Sequence, residues 1–438
     1  MTPSGAGFEY LSKLTGWEST GRLTSPSLAR IKAITAVLGH PQTAFPSVHV
    51  TGTNGKGSTT AMTAALLRAA GHRVGSYTSP HVCDLTERVQ LDGKPVEHSV
   101  LDRALARVAE AATGCGVVPT WFEAMTAAGL LVFAERPVDV AVIEVGMLGR
   151  WDATNVVDGV VAVVTNVELD HTELAGPSRS AVAAEKAGIV KPGSMLVLGE
   201  PDPALRPLFL GHGQTRTCIA GEELRLRHRG GWGDGSIVDL YTATGSHRHV
   251  RLGAPGRHQA GNALLAVTAA EAIHGMALPT TTIDSVLGAI RLPGRMQTVA
   301  TDPLVIVDGA HNRAAARALR EAVDQIPTSG PRVLVYGTLA GRDPRAFLEA
   351  VHPDSFAHIV LTQPDSPRAV PATGLLAAAA RDGPAATVCP EARVALRTAR
   401  KLAGSDGLVL VTGSLSLVAP VAVAARSLQD TALVGGLP

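Results

Sequence analysis

Apolar positions along the chain fall into short, nearly continuous β-branched runs separated by Ala- and Leu-rich stretches. Runs of that kind suit parallel strands buried on both faces between covering helices. Leu11, Leu14, Leu28, Ile31, Ile34 and Leu38 stand at helical spacing within residues 8–40. Val48-His49-Val50 reads as a strand that enters a glycine-punctuated turn, followed by an Ala/Leu-rich helix through Ala61–Ala70 that stops at Gly71. Further strands are predicted at 73–77, 138–143 and 160–164, with helices near 99–113, 121–135 and 178–190. The alternation predicts an open α/β sheet. Between about 218 and 256, Gly-rich turns separate alternating runs such as Ile237–Tyr241, which predicts a small antiparallel sheet. A helix follows over 257–275. Leu292-Pro293-Gly294-Arg295 reads as a linker, and βα alternation restarts with strands at 304–307, 332–336, 358–361 and 408–411. The expected organisation is an N-terminal domain over 1–291 carrying the small sheet, a linker at 292–300, and a C-terminal α/β domain over 301–438.

Composition narrows the function classes. Of the 438 residues, 45% are hydrophobic, enough to fill more than one core. Lys plus Arg (39) nearly cancels Asp plus Glu (38), so no general nucleic-acid or membrane footprint is expected. Cys83, Cys115, Cys218 and Cys389 form no CxxC pair and read as reduced thiols. No apolar run reaches the roughly 18 residues of a membrane span, and the first residues lack a signal-peptide pattern. A cytoplasmic location is expected. The His/Arg cluster over 225–249, including Arg225, Arg227, His228, Arg229, His247, Arg248 and His249, reads as a solvated strand face.

The chemistry centres on Gly52-Thr53-Asn54-Gly55-Lys56-Gly57-Ser58-Thr59. A strand, a Gly-rich loop and a helix in that order make a phosphate cradle. Backbone N–H groups and the helix N-terminus attract the anion, Lys56 can reach the outer phosphates, and the Ser58 or Thr59 hydroxyl can ligate Mg²⁺. Relative to G-x-x-x-x-G-K-[ST] the loop is shortened and gains a glycine after the lysine. Ligands of open α/β sheets gather at the carboxyl ends of the strands, where Ser79, Glu144 and His171 fall. They could complete a hard-cation site beside bound phosphates. The lesser reading of Glu144 is a salt-bridged strand end, whereas His171 could equally be a structural hydrogen-bonding residue. In the second domain Asp308-Gly309-Ala310-His311-Asn312 follows a strand directly, so Asp308 and His311 can face a shared cleft. Arg295 in the linker suits a terminal phosphate.

Ordered blocks along nearly the whole chain resemble the folylpolyglutamate synthase/dihydrofolate synthase family, a branch of the Mur-ligase superfamily. They are His49–Thr59, Thr78-Ser79-Pro80-His81, Phe122–Ala127, Glu144-Val145-Gly146, Gly149–Asn155 and Leu169-Asp170-His171. Glu185–Ile189, His258–Ala263, Pro293-Gly294-Arg295, Asp308–Asn312 and Gly413-Ser414-Leu415 complete the set. The resemblance implies Mur-ligase architecture: a P-loop-type, mainly parallel ATPase domain with a small β subdomain, and a Rossmann-like C-terminal domain. It implies ATP-dependent joining of a folate-type carboxylate (dihydropteroate or a reduced folate) to L-glutamate through an acyl phosphate, in a monomer. Ser58 and Glu144 are implied as ligands of one Mg²⁺, and Ser79, Glu144 and His171 of a second. Thr53 to Thr59 with Asn262, Arg295 and Asp308 are implied for ATP. Lys186 aligns with the family's carbamylated lysine, Asp152 with a further functional acid, and His311 and Ser414 with the place where glutamate meets the acyl group.

Departures fall away from the implied metals. The usual Gly-Leu-Gly-Gly-Arg-Leu-Asp is Gly146-Met147-Leu148-Gly149-Arg150-Trp151-Asp152, and a Lys-Asp pair becomes Arg342-Asp343. A related ligase using another, non-folate acid is therefore the second reading. A P-loop switch is the third, disfavoured by the chemistry-bearing second domain and by the lack of an Asn-Lys-x-Asp motif.

Overall fold

All five residues of strand β1 (Ser47–Thr51) are buried, as its β-branched run implies. The computed structural model describes residues 5–16, 20, 26–170, 172–230, 236–379 and 383–434, with side chains to 425. Around β1 lie β2 (Val74–Tyr77), β3 (Val89–Leu91), β4 (Lys94–Pro95), β5 (Val140–Glu144), β6 (Val161–Val164), β7 (Met195–Leu198) and β8 (Arg216–Ile219). They form one eight-stranded sheet in the order β4-β3-β2-β5-β1-β6-β7-β8. Strands β2, β5, β1, β6, β7 and β8 are parallel, while β3 and β4 add an antiparallel edge. The register sets Val50 beside Glu144 and Thr51 beside Val164. The carboxyl ends of three neighbouring strands therefore open onto one crevice, with β1 in the middle.

Both faces of this sheet are covered. Met62 and Leu66 of the Lys56–Ala69 helix share a core with Val48 and Val50, with Ala263 and Val267 of the Arg257–His274 helix, and with Leu240 and Val250. The opposite face packs helices His98–Gly114 and Trp121–Glu135 against Ile143 and Tyr77, and helix Arg179–Ala187 against Val164 and Leu196.

Leu240 and Val250 belong to the small antiparallel sheet, β9 (Arg225–Gly230), β10 (Ser236–Tyr241) and β11 (Ser246–Leu252), in the order β11-β10-β9. Arg225, Arg227, Arg229, Arg248 and His249 are exposed, as a solvated strand face requires, and His247 is the exception. His247 is only 3% exposed. Its Nε2 lies 2.9 Å from Glu271 Oε1, and its Nδ1 lies 3.0 Å from Thr280 Oγ1. Arg229 pairs with the buried Asp239 at 2.5 Å. The reason is tertiary: the Arg257–His274 helix brings Glu271 beneath the sheet, and a buried carboxylate needs donors. Thr242 Oγ1 at 2.7 Å and Leu278 N at 3.0 Å supply two more.

The second sheet comprises β12 (Gln297–Thr301), β13 (Leu304–Val307), β14 (Arg332–Tyr336), β15 (His358–Leu361), β16 (Ala386–Val388) and β17 (Leu408–Thr412). Its order is β12-β13-β17-β14-β15-β16, with only β12 antiparallel. Edge strands β12 and β16 are half-exposed, so neither carries the apolar run that marks the central strands. Val82, from the loop after β2, packs into the apolar cluster of this sheet. Among the described residues no helix is long and apolar enough to cross a membrane.

Replacing Glu271 by Ala is expected to destabilise the protein by about 3 kcal/mol, because it strands buried donors. Urea unfolding at neutral pH measures the loss.

Candidate active site

The turn after β1 is shaped for close approach. Gly55 takes a left-handed conformation (φ 82°) and immediately precedes the Lys56–Ala69 helix. A Cβ there would stand 2.3 Å from Asn262 Oδ1, so glycine is required for conformation and for space. No side chain caps this helix, which leaves its first N–H groups to an anion. The loop is fixed from behind: Asn54 N donates to Asn166 Oδ1 at 3.0 Å, and the Asn54 carbonyl accepts from Thr165 Oγ1 at 2.6 Å. Lys56 Nζ donates to the Gly52 carbonyl at 3.1 Å. Burial draws the Lys56 pKa down, and Glu144 and Asp170 oppose that shift.

Beside the loop sits a donor set for a hard cation. Ser58 Oγ is buried without a hydrogen-bond partner among the described residues. Glu144, 3% exposed, accepts from Ser79 N at 2.9 Å. A Cβ on Gly57 would lie 3.4 Å from both Glu144 carboxylate oxygens. Burial pushes the Glu144 carboxyl up, with Lys56 the leading opposing charge. An unpaired hydroxyl and a costly buried carboxylate beside a phosphate loop fit Mg²⁺, which takes most of its ligands from phosphate and water. His171, the other expected ligand, lies outside the described residues.

The second domain supplies the facing wall. Asp308 directly follows β13, accepts from Met296 N and Ala310 N at 2.8 Å each, and is thereby held rigid. Arg295 lies so close to Gly309 that a Cβ there would come within 2.4 Å of its guanidinium. His311 Nδ1 lies 2.9 Å from the Gly309 carbonyl, an acceptor only, so the neutral ring keeps its lone pair on Nε2. Burial and Arg342 lower the His311 pKa, while Asp170, 3.8 Å from Nε2, raises it. Further polar contacts tie the lobes: Asn312 Nδ2 donates to Asn54 Oδ1 at 3.0 Å, and Arg342 pairs with Asp170.

Together these walls enclose a cavity of about 1370 Å³ lined by Thr53, Asn54, Gly55, Lys56, Gly57, Ser58, Ser79, Glu144, Asp152, Asn262, Arg295, Asp308, His311 and Ser414. Phe122, Met147, Leu148, Trp151 and the Arg30–Glu123 ion pair line another part of the same cavity. Two expected residues stand behind the wall. Thr59 is fully buried, which leaves Ser58 as the hydroxyl at the cleft. Lys186, 3% exposed on helix Arg179–Ala187, has its pKa drawn well down, first by burial and then by Lys56. Asp170, Asn166, Asn312 and Arg342 were not singled out from the sequence as site residues. Asp170 adjoins His171 in a quoted block, and Asn312 closes another, which was the available signal.

The turn 146–152 is unusually constrained. Leu148 is left-handed (φ 57°) in a segment where the resembling family carries an extra glycine. Such a conformation costs a branched residue and persists where the surroundings enforce it. Here Thr51 Oγ1 donates to the Leu148 carbonyl at 2.5 Å, and Met147 N donates to Asp152 Oδ2 at 2.8 Å.

Comparison with known proteins agrees with this arrangement. Residues 50–270 match the Mur ligase middle domain, and residues 294–415 the Mur ligase, glutamate ligase domain. Fold and cleft thus define a Mur ligase. Dihydrofolate synthase/folylpolyglutamate synthase of Mycobacterium tuberculosis is 36% identical over 82% of this chain and 79% of its own. E. coli FolC in complex with DHPP and ADP superposes with a TM-score of 0.86 at 29% identity, covering 99% of this chain and 100% of that one. A bifunctional folylpolyglutamate synthase/dihydrofolate synthase with Mn, AMPPNP and L-glutamate bound gives 0.83 at 29% identity, covering 95% and 96%. The chain belongs to the folylpolyglutamate synthase/dihydrofolate synthase family of ATP-dependent glutamate ligases.

Gly55→Ala is expected to lose at least about ten-fold in ADP affinity while melting only slightly lower, since a left-handed alanine costs about 1–2 kcal/mol. Calorimetric titration with ADP and a melting curve separate the two effects.

Proposed function

We propose that the chain joins L-glutamate to a folate-type acid, dihydropteroate or a reduced folate, at the cleft between the two sheets. The observation that carries this reading is the opposition of the uncapped phosphate loop on β1 to Arg295, Asp308 and His311 across one cavity. ATP lies with its phosphates on the 52–58 turn, and Asn262, Arg295 and Asp308 hold the nucleotide from the far side. An acceptor carboxylate oxygen attacks the γ-phosphorus, the bond to the bridging oxygen breaks, and ADP leaves with an acyl phosphate formed. The glutamate amine then attacks the acyl carbon, and phosphate departs with the C–O electron pair. Both attacks bring anions or dipoles into a charged site, so positioning and charge cancellation dominate.

Residues of this chain have distinct tasks in that scheme. Lys56 neutralises the outer phosphates. His311, neutral with its lone pair on Nε2, takes a proton from the glutamate ammonium and so frees the amine that attacks, and Ser414 orients the same groups. Ser58 and Glu144 would hold one Mg²⁺, and Glu144, Ser79 and His171 a second; the ion supplies Lewis-acid charge compensation at the phosphates. Lys186 serves as a carbamate. Its burial favours the neutral amine that CO₂ requires, and a carbamate anion would turn the repulsion from Lys56 into an attraction while giving up the attraction to Asp170 and Asp152. Asp152, beneath Gly146 and Phe122, shapes the acceptor end. Trp151, 48% exposed on that wall, supports the alternative of a non-folate acid, because the indole changes the surface an acceptor meets.

Purified protein with Mg·ATP is expected to release ADP and phosphate only when an acceptor acid and L-glutamate are both present. Dihydropteroate and reduced folates, assayed separately by product mass, identify the acceptor; turnover without glutamyl mass would refute ligation. Lys186→Ala is expected to lose at least about 100-fold in kcat, with partial rescue by small carboxylic acids. Wild-type turnover in that variant would remove the carbamate from the scheme.

A further inference from the structure

Strand β1 carries an imidazole between the core valines Val48 and Val50. His49 is completely buried and faces away from their core. Its Nε2 lies 2.9 Å from Thr154 Oγ1, and that hydroxyl donates to Asp152 Oδ1 at 2.6 Å. A hydroxyl has one proton, and Thr154 gives it to the carboxylate. Thr154 must then accept from His49, so Nε2 carries the ring hydrogen and Nδ1 is bare. Nδ1 is buried with no partner among the described residues. Burial, reinforced by Lys191, holds the ring pKa down to about 3, so the imidazole is neutral throughout the working range.

For stability alone this is a poor choice. A desolvated, unsatisfied ring nitrogen carries a cost that an aliphatic side chain at the same place would avoid. The hydrogen-bond chain it starts runs to the cleft. Asp152 Oδ1 also accepts from Thr154 N at 3.0 Å, and Oδ2 accepts from Met147 N at 2.8 Å. Asp152 Oδ2 lies 3.1 Å from where a Gly146 Cβ would be, and Phe122 closes the same space at 2.5 Å. The carboxylate is therefore the hub of turn 146–152, which presents Met147 and Trp151 to the cavity.

We infer that His49 is a positioning residue: through Thr154 it fixes Asp152, and with it the turn 146–152 that forms the acceptor end of the cleft. This inference rests on the ligase reading above. His49 touches no substrate and transfers no proton. Its single N–H prevents Thr154 from turning its hydroxyl away, and Asp152 keeps Oδ1 on Thr154 and Oδ2 on the Met147 N–H. The same strand runs on into the phosphate loop, so one element sets both the nucleotide turn and the acceptor wall.

The test uses the full-length chain with His49→Leu, Thr154→Val, the double variant, and His49→Gln, whose amide can replace the donor. His49→Leu is expected to melt no lower than wild type, yet to raise the acceptor KM about ten-fold, with the ATP KM within about two-fold, as for misplacement of a binding wall. His49→Gln should restore most of the loss. The double variant should be no worse than either single one, since both cut the same chain. An unmoved acceptor KM, additive losses, or a lowered melting temperature with equal losses for all substrates would overturn the inference. A wild-type chain that adds glutamate to no tested acid would instead defeat the ligase reading, and this inference with it.

Discussion

Burying charge where two lobes meet is the constraint on which the rest of this structure depends. Burial shifts the ionisation of Lys56, Glu144 and Lys186 around one cleft, and Asp152 and Asp170 oppose the shift of both lysines. Isolated, each would be expensive to desolvate. Their placement at the ends of parallel strands lets opposite charges and backbone donors compensate, and it leaves room for a triphosphate and cation to complete the balance. An anionic substrate enters a site whose own charges are already fixed, so little reorganisation accompanies reaction.

The scaffold explains how such charges are held. Register places Glu144 beside Val50 at the level where β1 gives way to the loop. Asn166 and Thr165, just beyond β6, grip the loop backbone from the other side. The loop is thus clamped between its neighbouring strand ends and needs no side-chain cap of its own. Val82, Asn54–Asn312, Asp170–Arg342 and Asp170–His311 are among the contacts that bring the second sheet against the first.

Family membership and the turn 146–152 pull in different directions on the acceptor. The phosphate loop, Glu144 and the Asp308–Asn312 turn follow the family pattern closely, so the chemistry of acid activation is shared. One of the departures from that pattern lies on the wall carrying Leu148 and Trp151. There the chain tolerates a left-handed leucine because Thr51 and Asp152 pin the backbone on either side. Strain kept in place by named hydrogen bonds belongs to a surface whose shape matters.

Sequence alone marked β1, β2, β5, β6, β13, β14, β15 and β17 as short β-branched runs, along with the phosphate loop and the order of family blocks, but it passed over the parallel strands β7 and β8. The small antiparallel sheet was legible from its Gly-rich turns. Edge strands β12 and β16 were not, since half-exposed residues carry no distinctive period. Only the tertiary structure decided which polar residues meet. His247 passed for a surface cation until Glu271, on a distant helix, was placed beneath it. His49 passed for part of a motif until Thr154 and Asp152 were found beside it. Local pattern reports how much of a residue is covered; it does not report what covers it. Partners separated by many residues are chosen by packing, and the cleft's electrostatics follow from those choices.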